Sequence, residues 1–289
     1  MHLRAAANLI PAVLHARMAL MPTQRDPSSS SAPSDKGSLD SEDHKAFNVL
    51  IGSFISSDII SCASTGLPPF LNINHALVLE SLGIRLESLM GCRTSVMVLI
   101  FEVSSLYWWK KKAQETQKLS LRDLAERAAQ IEKRLRHEIE DINNTLSTGG
   151  LSWNSSGILP APPPTEISKV FALSAMTYLH VIVSGAYPEL PEVIKSVSDT
   201  IITFKSLKDP RLLQNMVWPF CVSGCMARRE EQELFRDLAS AAQVTQSTLG
   251  TCFEALKIME ECWEARAINS CSIDWVSVMN KRGNYVLLR

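Results

Sequence analysis

The stretch SLRDLAERAAQIEKRLRHEIEDI, residues 120–142, shows most directly how this chain folds. Its apolar residues recur every three or four positions, at Leu124, Ala128, Ile131, Leu135, Ile139 and Ile142. The positions between them are mostly charged, so a helix built from this stretch has one apolar face and one solvated face. Ser120 stands just before it, and its hydroxyl is suited to cap the N–H groups of the first turn. The pattern predicts an amphipathic helix that packs on a core along one side.

Helical spacing also dominates most of the remaining chain. Apolar residues recur in threes and fours within residues 44–64, 84–113, 167–184, 191–207, 210–226, 251–267 and 273–288. The second of these stretches is predicted to be one long helix that continues through Gly91. No segment alternates apolar and polar residues in the way that a half-buried strand does. We therefore expect an all-α protein, an irregular helical domain of about eight to ten helices.

Two stretches divide the chain. Residues 22–43 contain a serine run and three prolines with few apolar side chains, so they are predicted to be a disordered linker. Residues 144–164 hold three glycines and a proline cluster around Trp153, and they are predicted to form a strap over the surface. These boundaries leave an N-terminal helical segment at 1–21 and a helical domain at 44–289 that carries the strap.

The composition excludes several classes of protein. The chain has 289 residues, with 29 Lys and Arg against 30 Asp and Glu, which gives a formal net charge of −1. That balance excludes a strongly basic nucleic-acid binder and an acidic disordered chain, so no direct nucleic-acid binding is expected. The apolar stretch 95–109 is shorter than the ~20 residues that cross a bilayer, and no membrane span is expected either.

The cysteines and the missing motifs argue against metal and cofactor chemistry. The chain has seven cysteines, most of them inside apolar helical patterns, which indicates free thiols in a reducing compartment, nuclear or cytoplasmic. Only Cys221 and Cys225 lie close in sequence, and one pair cannot complete a tetrahedral zinc site. The sequence has no phosphate-binding glycine loop, no dinucleotide fingerprint and no serine-hydrolase elbow. No metal and no cofactor are expected.

Two ionisable residues stand among apolar ones. Glu102 lies within VLIFEV, residues 98–103, and His180 lies within YLHVIV, residues 178–183. A buried acid or imidazole that is held neutral can transfer a proton or orient a carbonyl, so these two are the catalytic candidates if the protein is an enzyme. The alternative is that each bonds to a neighbouring helix or lies on a polar edge.

The most apolar segments predict a ligand site. They are residues 95–109, residues 167–184 and the helix around Trp218, and we expect an apolar cavity between them. A mostly apolar lining with a few polar groups is typical of a site for a lipophilic molecule. The candidate ligand-binding residues are Glu102, Trp108, Tyr178, His180, Trp218 and Cys221.

The C-terminal third carries the most distinctive motif, WPFC at 218–221 followed by GCMA at 224–227. Together with Trp263, Trp275 and the earlier run LMGC at 89–92, it resembles the fungal-specific transcription factor domain. In that family an all-helical C-terminal regulatory domain follows a binuclear zinc cluster that binds DNA. The resemblance covers nearly the whole chain, and the chain itself has no zinc cluster. It implies that the tryptophans are packing residues and that the domain senses effectors or contacts partners.

Three functions fit these observations. The first is a stand-alone transcription-factor-like regulatory domain, without its own DNA-binding module, that binds a lipophilic small molecule or a protein partner, including a second copy of itself. The second is a cofactor-free cyclase, isomerase or pericyclase that orients an apolar natural-product intermediate on the same scaffold. The third is a degenerate fragment without a role of its own. Fold alone does not separate them, because one fold supports many functions.

Overall fold

The computed structural model describes residue 10 and residues 37–148, 164–245, 250–268 and 272–289. Within these residues it contains eleven α-helices, one 3-10 helix at Pro210–Asn215, and no strand. Ten of the α-helices have seven or more residues, so the predicted all-α domain of about eight to ten helices is confirmed. The helices are α1 (Gly37–Thr65), α2 (His75–Ser81), α3 (Glu87–Met90), α4 (Thr94–Glu115), α5 (Leu121–Thr148), α6 (Pro164–Ser184), α7 (Pro191–Ser206), α8 (Val217–Cys225), α9 (Gln232–Ala241), α10 (Cys252–Ile268) and α11 (Trp275–Arg282).

Helix α6 is the central element of the fold. It packs against α4, α5, α7 and α8, and most of its side chains are buried. Two of its buried hydroxyls have partners on neighbouring helices: the Ser174 and Ser223 hydroxyls lie 2.9 Å apart, and the Thr177 hydroxyl donates to Ser196 Oγ at 2.9 Å. Because a buried hydroxyl without a partner is costly, these bonds hold α6, α7 and α8 in one relative register.

Helix α5 is the amphipathic helix that the sequence predicts. Its buried side chains include Leu124, Leu135 and Ile142, and it packs against α4 and α6. The Ser120 hydroxyl accepts a hydrogen bond from Asp123 N at 3.2 Å, which confirms the predicted cap. Its buried stripe covers one flank of α6.

Among the described residues, two helices are long and apolar enough to cross a membrane by length and composition alone. They comprise residues 42–65 of α1 and residues 165–184 of α6. In the most apolar stretch of each helix, 61% of the residues are buried inside the fold for α1 and 83% for α6. Core helices of globular domains pass the same test, so this hydropathy is weak evidence for a span.

The prediction of one helix through Gly91 is wrong, because the chain turns there. Gly91 has a φ of +68°, a left-handed conformation, and it ends α3. A Cβ at this position would meet Ile167 Cδ1 at 2.8 Å. The Thr94 hydroxyl holds the break, since it accepts a hydrogen bond from Leu86 N at 2.9 Å and donates to Glu87 Oε2 at 3.0 Å. A new helix, α4, therefore begins at Thr94.

The other sequence boundaries fall partly within the described residues. Helix α1 begins at Gly37, inside the last part of the predicted linker, and it includes all of the predicted helix at 44–64. Helix α5 continues to Thr148, past the predicted start of the strap. Residues 22–36 and 149–163 lie outside the described part of the chain, as does the N-terminal segment apart from Ile10, which is helical and buried. The disordered linker and the strap stay predictions.

A buried carboxylate fixes the loop that follows α1. Asp58 accepts hydrogen bonds from Phe70 N at 2.8 Å and from the next backbone N–H at 3.0 Å, and its Oδ2 lies 2.9 Å from His75 Nε2. Asp58 and His75 are almost completely buried, and the His75 ring lies 4.2 Å from the Phe101 ring of α4. These contacts tie α1, its loop and α2 to α4.

Helices α8 and α10 approach each other closely at Gly224, within the second half of the distinctive sequence motif. A Cβ at Gly224 would meet Met259 Sδ at 2.8 Å and Phe235 Cδ1 at 3.0 Å. Trp263 Nε1 donates to the Gly224 carbonyl at 2.8 Å. Trp263 is 5% exposed and Trp218 is 1% exposed, which confirms both as core residues.

Candidate functional site

The interior between α4, α6 and α8, where the sequence predicts a cavity, is filled by aromatic side chains. The Trp218 ring stacks on Phe171 at 6.1 Å and meets Tyr178 nearly perpendicularly at 6.0 Å. Tyr178 also contacts the Trp275 ring at 5.5 Å. Cys221 is fully buried, with its Sγ 4.0 Å from Cys225 Sγ. These residues form packed core.

The two catalytic candidates of the sequence lie in different surroundings. The Glu102 side chain is 32% exposed and forms an ion pair with Arg134 of α5, so it lies on a polar edge rather than inside an apolar cavity. His180 is 9% exposed, and its Nδ1 has no hydrogen-bond partner within the described residues. Burial lowers the pKa of His180, so its imidazole is mainly neutral at pH 7.

The six predicted ligand residues do not line one common cavity among those found in the described residues. Trp108 is half-buried and donates from Nε1 to the Gly66 carbonyl at 3.2 Å. Tyr178 alone of the six lines a cleft described below. The ligand-binding role of the other five stays a prediction.

The cleft, called the junction cleft here, opens where the ends of several helices meet. Its volume is about 380 Å³. It lies between the end of α1, the C-terminal half of α4, the end of α6, and the segment that leads into α11. Its lining residues are Gly66, Tyr107, Lys110, Lys111, Gln114, Tyr178, Val181, Ile182, Gly185, Ala186, Ser272, Asp274 and Val276.

Three hydrogen bonds position the walls of the junction cleft. The bond from Trp108 to the Gly66 carbonyl fixes the end of α1 against α4. Ala186 N donates to Ser272 Oγ at 2.8 Å, which ties the loop after α6 to the segment before α11. The Lys110 ammonium donates to the carbonyl of Ile182 in the last turn of α6. The cleft is thus bounded by elements that are held to one another rather than by free loops.

Lys110 brings a positive charge into the junction cleft without a carboxylate beside it. In the part of the chain that the structure describes, the lysines that form ion pairs within 4.0 Å are Lys195 and Lys257. Burial lowers the pKa of Lys110. The negative end of the α6 dipole lies at the carbonyl that it binds, which favours the charged ammonium there.

Two phenols and one carboxylate complete the polar part of the cleft. The Tyr178 hydroxyl is buried and makes no hydrogen bond of good geometry among the described residues, although Ser104 of α4 lies close to it. Burial raises the pKa of Tyr178, and the nearby Ser104 hydroxyl lowers it in part. Burial and then the charge of Asp274 raise the pKa of Tyr107. Both phenols are therefore neutral hydrogen-bond donors at pH 7. Asp274 accepts hydrogen bonds from Ser277 N and Oγ, at 2.8 and 2.5 Å, where it caps α11.

The arrangement is suited to binding a small molecule. Val181, Ile182 and Val276 offer an apolar wall, while Lys110 and the two phenols offer donors. The described residues contain no group of three or more His, Cys, Asp or Glu side chains able to hold a metal ion. Six of the seven cysteines are described, all free and buried, and burial raises the pKa of most of their thiols. The neighbouring Cys225 thiol, and then burial, raise the pKa of Cys262. Such thiols are unreactive.

Other depressions in the described part of the chain are larger and more open to solvent, among them two that hold arginines. One, of about 860 Å³, lies between α4 and α5 beside Arg134. The other, of about 800 Å³, lies between α9 and α10 around Trp263, where Arg236 pairs with Glu233 and Glu260. Their named arginines already have carboxylate partners. Lys133 in the first of these depressions and Arg266 in the second form no ion pair among the described residues, so a cation without a carboxylate is not special to the junction cleft. The junction cleft differs because such a cation, Lys110, lies in the same cleft as the buried Tyr178 phenol.

Sequence reasoning missed the junction cleft, apart from Tyr178. Its lining comes from four separate stretches of the chain, at residue 66, at 107–114, at 178–186 and at 272–276. The basic run 110–112 was visible in the sequence, but nothing there indicated that Lys110 turns towards α6 while Lys111 and Lys112 stay exposed. Only the contact between helix ends reveals the site.

Comparison with known proteins extends the resemblance to the whole chain. The family described as the fungal specific transcription factor domain matches residues 1–288. The trichothecene biosynthesis transcription regulator of Trichoderma arundinaceum is 32% identical over 303 aligned positions, covering 100% of this chain and 68% of the relative. The regulator of the same name from Fusarium sporotrichioides is 32% identical, covering 99% of this chain and 67% of the relative.

Other similar proteins carry comparable names. The transcription factor ntnD of Nectria sp is 31% identical over 225 positions, covering 75% of this chain and 37% of the relative. No solved structure matches the chain. The family match spans nearly every residue, and the similar proteins are regulators or transcription factors, several of them named for biosynthesis or its gene clusters. The chain therefore belongs to the fungal specific transcription factor domain family and is a transcription-factor-like domain.

Proposed function

We propose that this chain is an effector-sensing domain that controls biosynthetic genes in the nucleus and binds a lipophilic small molecule in the junction cleft. The regulatory part extends to this chain what the names of its relatives say of them. The observation that carries the ligand part is the cleft itself. Its volume of about 380 Å³ lies within the ~300–1,000 Å³ that small-molecule sites occupy.

The position of the cleft supports sensing as well as binding. A ligand there touches the end of α1, α4, α6 and the residues before α11 at once. It makes all of these contacts only when the elements are in their present arrangement. A ligand shifts a conformational equilibrium when it binds one arrangement better than another, and this cleft provides that difference.

The first test uses the chain fused to a heterologous DNA-binding domain in a reporter strain. Val181→Trp fills the cleft, because Val181 is 6% exposed and lies on its apolar wall. Ile202→Trp is the matched control, since Ile202 of α7 is 65% exposed. We expect lipophilic metabolites to change reporter output with the wild type and the control, and the response to disappear with Val181→Trp.

Two results would contradict the proposal. Equal responses from all three proteins would show that the effector binds outside the junction cleft. No response from any of them would remove effector sensing. Circular dichroism of the purified variants checks that Val181→Trp keeps its helical content, and Gln114→Trp at the exposed rim of the cleft serves if it does not.

A second measurement separates sensing from catalysis. The purified chain is incubated with the active metabolite, and the complex is examined by native mass spectrometry. We expect the metabolite to be recovered unchanged after release. A product of the same mass with a new retention time, formed only with folded protein, would instead support a cyclase or isomerase.

A further inference from the structure

We propose that the junction cleft takes amphiphiles with an apolar body and an anionic end, and that Lys110 holds the anionic end. This inference rests on the proposed function, because it names the class of molecule that the same cleft binds. It is carried by an ammonium group that lacks a carboxylate, an apolar wall opposite polar donors, and a buried hydroxyl that lacks a hydrogen bond.

The charges in the cleft favour an anion at its α4 side. Lys110 donates to one carbonyl, and an ammonium has three N–H donors, so two are left for a ligand. Lys111 adds a second positive charge at the exposed rim. Asp274 is the carboxylate among the lining residues; it bonds to Ser277 at the N-terminus of α11, and its charge also acts on Tyr107. The two ends of the cleft therefore differ in electrostatic potential.

The remaining groups fit the rest of such a molecule. Because Val181, Ile182 and Val276 line the cleft, they are placed to contact the apolar body of the ligand. Tyr178 is 3% exposed, and its hydroxyl makes no hydrogen bond of good geometry among the described residues, with Ser104 as its nearest polar neighbour on α4. An oxygen atom on the ligand would give that hydroxyl an acceptor and remove the cost of leaving it unpaired. A neutral hydrocarbon would satisfy neither Lys110 nor Tyr178.

Two fluorescent probes with the same frame separate charge from shape. The anion 1-anilinonaphthalene-8-sulfonate carries a sulfonate, and N-phenyl-1-naphthylamine has the same ring system without it. Lys110→Met keeps the length of the side chain and removes the charge, while Lys112→Met makes the same change at an exposed site outside the cleft. We expect Lys110→Met to lower the affinity for the sulfonate probe about ten-fold, which is the effect of one charge-assisted hydrogen bond. The affinity for the neutral probe should stay within about two-fold of the wild-type value.

The outcomes distinguish this inference from the proposed function. Lys110→Met could lower the affinity for both probes equally or for neither, or Lys112→Met could have the same effect as Lys110→Met. Each of these results would refute the inference that Lys110 holds an anionic group, and none of them would contradict ligand binding in the cleft. If Val181→Trp binds both probes as tightly as the wild type does, or if neither probe binds saturably to the wild type, the cleft is not a ligand site and both proposals fail. Unchanged circular dichroism of Lys110→Met shows that any loss of binding is not a loss of folding.

Discussion

The core around Trp218 and the junction cleft both contain Tyr178, yet one is solid and the other is open. Around Trp218 helix α8 packs along α6, and Phe171 and Tyr178 of α6 lie against the Trp218 ring. In the cleft α6 meets α4 near the C-terminal ends of both helices, and their neighbours there are short connecting segments. Tyr178 has its ring in the first region and lines the second.

The two regions differ because one lies where helices cross and the other lies where helices end. A helix crossing presents a close-packed surface on each side, and protein interiors pack to the density of organic crystals. Helix ends leave backbone carbonyls, such as that of Ile182, and long polar side chains, such as Lys110, to cover the remaining space. The most apolar segments of this chain therefore make core, and the binding site lies where these segments end.

Removing Trp218 should have the largest effect on stability. Trp218→Ala leaves a cavity beside Phe171 and Tyr178, and a buried aromatic truncation costs about 3–5 kcal/mol. Urea unfolding followed by circular dichroism measures the loss. Ile202→Ala, at a site that is 65% exposed, should stay within about 0.5 kcal/mol of the wild type. An unchanged midpoint for Trp218→Ala would mean that this region is not close-packed.

Gly224→Ala, which adds one methyl group, should have an intermediate effect on stability. The new Cβ would press on Met259 and Phe235, and overpacking of a core costs about 1–3 kcal/mol. Met259→Ala opens space at the same point, so the double variant should lose less than the sum of the two single changes. Additive losses would show that α8 and α10 do not touch there as closely as the structure indicates.

Tyr178→Phe should barely change stability, although the residue is buried. The ring that packs on Trp218 and Trp275 is kept, and the hydroxyl that is lost has no hydrogen bond among the described residues. Removing an unpaired buried polar group is close to neutral, so we expect a change within about 0.5 kcal/mol. Tyr178→Ala should be severely destabilising in the same urea experiment. A large loss for Tyr178→Phe would reveal a partner for the hydroxyl and weaken its assignment to the ligand.

The sequence predicts the helices better than it predicts the site, for reasons visible in single residues. The Ser120 cap and the stripe of α5 are local patterns, and they are confirmed. The turn at Gly91 is missed, because a glycine in an apolar run does not show that Ile167 needs its space. Glu102 has apolar neighbours in sequence, but only residues three or four positions away share its helix face, and that face meets Arg134.

The smallest effect is a pH dependence of stability that belongs to the cleft. Burial lowers the pKa of Lys110 in the folded state below its ordinary 10.5, so folding disfavours the charged form. Below the lowered pKa, the cost of burying the charged ammonium applies in full. As pH rises from that value towards 10.5, the cost disappears, so the contribution of Lys110 to stability rises over this range. Tyr107, Tyr178, Asp274 and Lys111 also face or neighbour the cleft, so the wild type is compared with Lys110→Met.

Between pH 8 and 10.5 the raised pKa values of the buried thiols and phenols lower the urea midpoint of every variant, because the unfolded chain loses those protons first. The fall should be steeper in Lys110→Met than in the wild type and in Lys112→Met, since only Lys110→Met lacks the opposing contribution of Lys110. Saturating sulfonate probe should cancel that contribution in the wild type, because a bound anion stabilises the charged ammonium and raises its pKa again. The neutral probe should not cancel it. Trp218→Ala keeps Lys110, so its urea midpoint should follow the pH dependence of the wild type. A pH profile shared by Trp218→Ala and Lys110→Met would mean that the two regions do not differ as described.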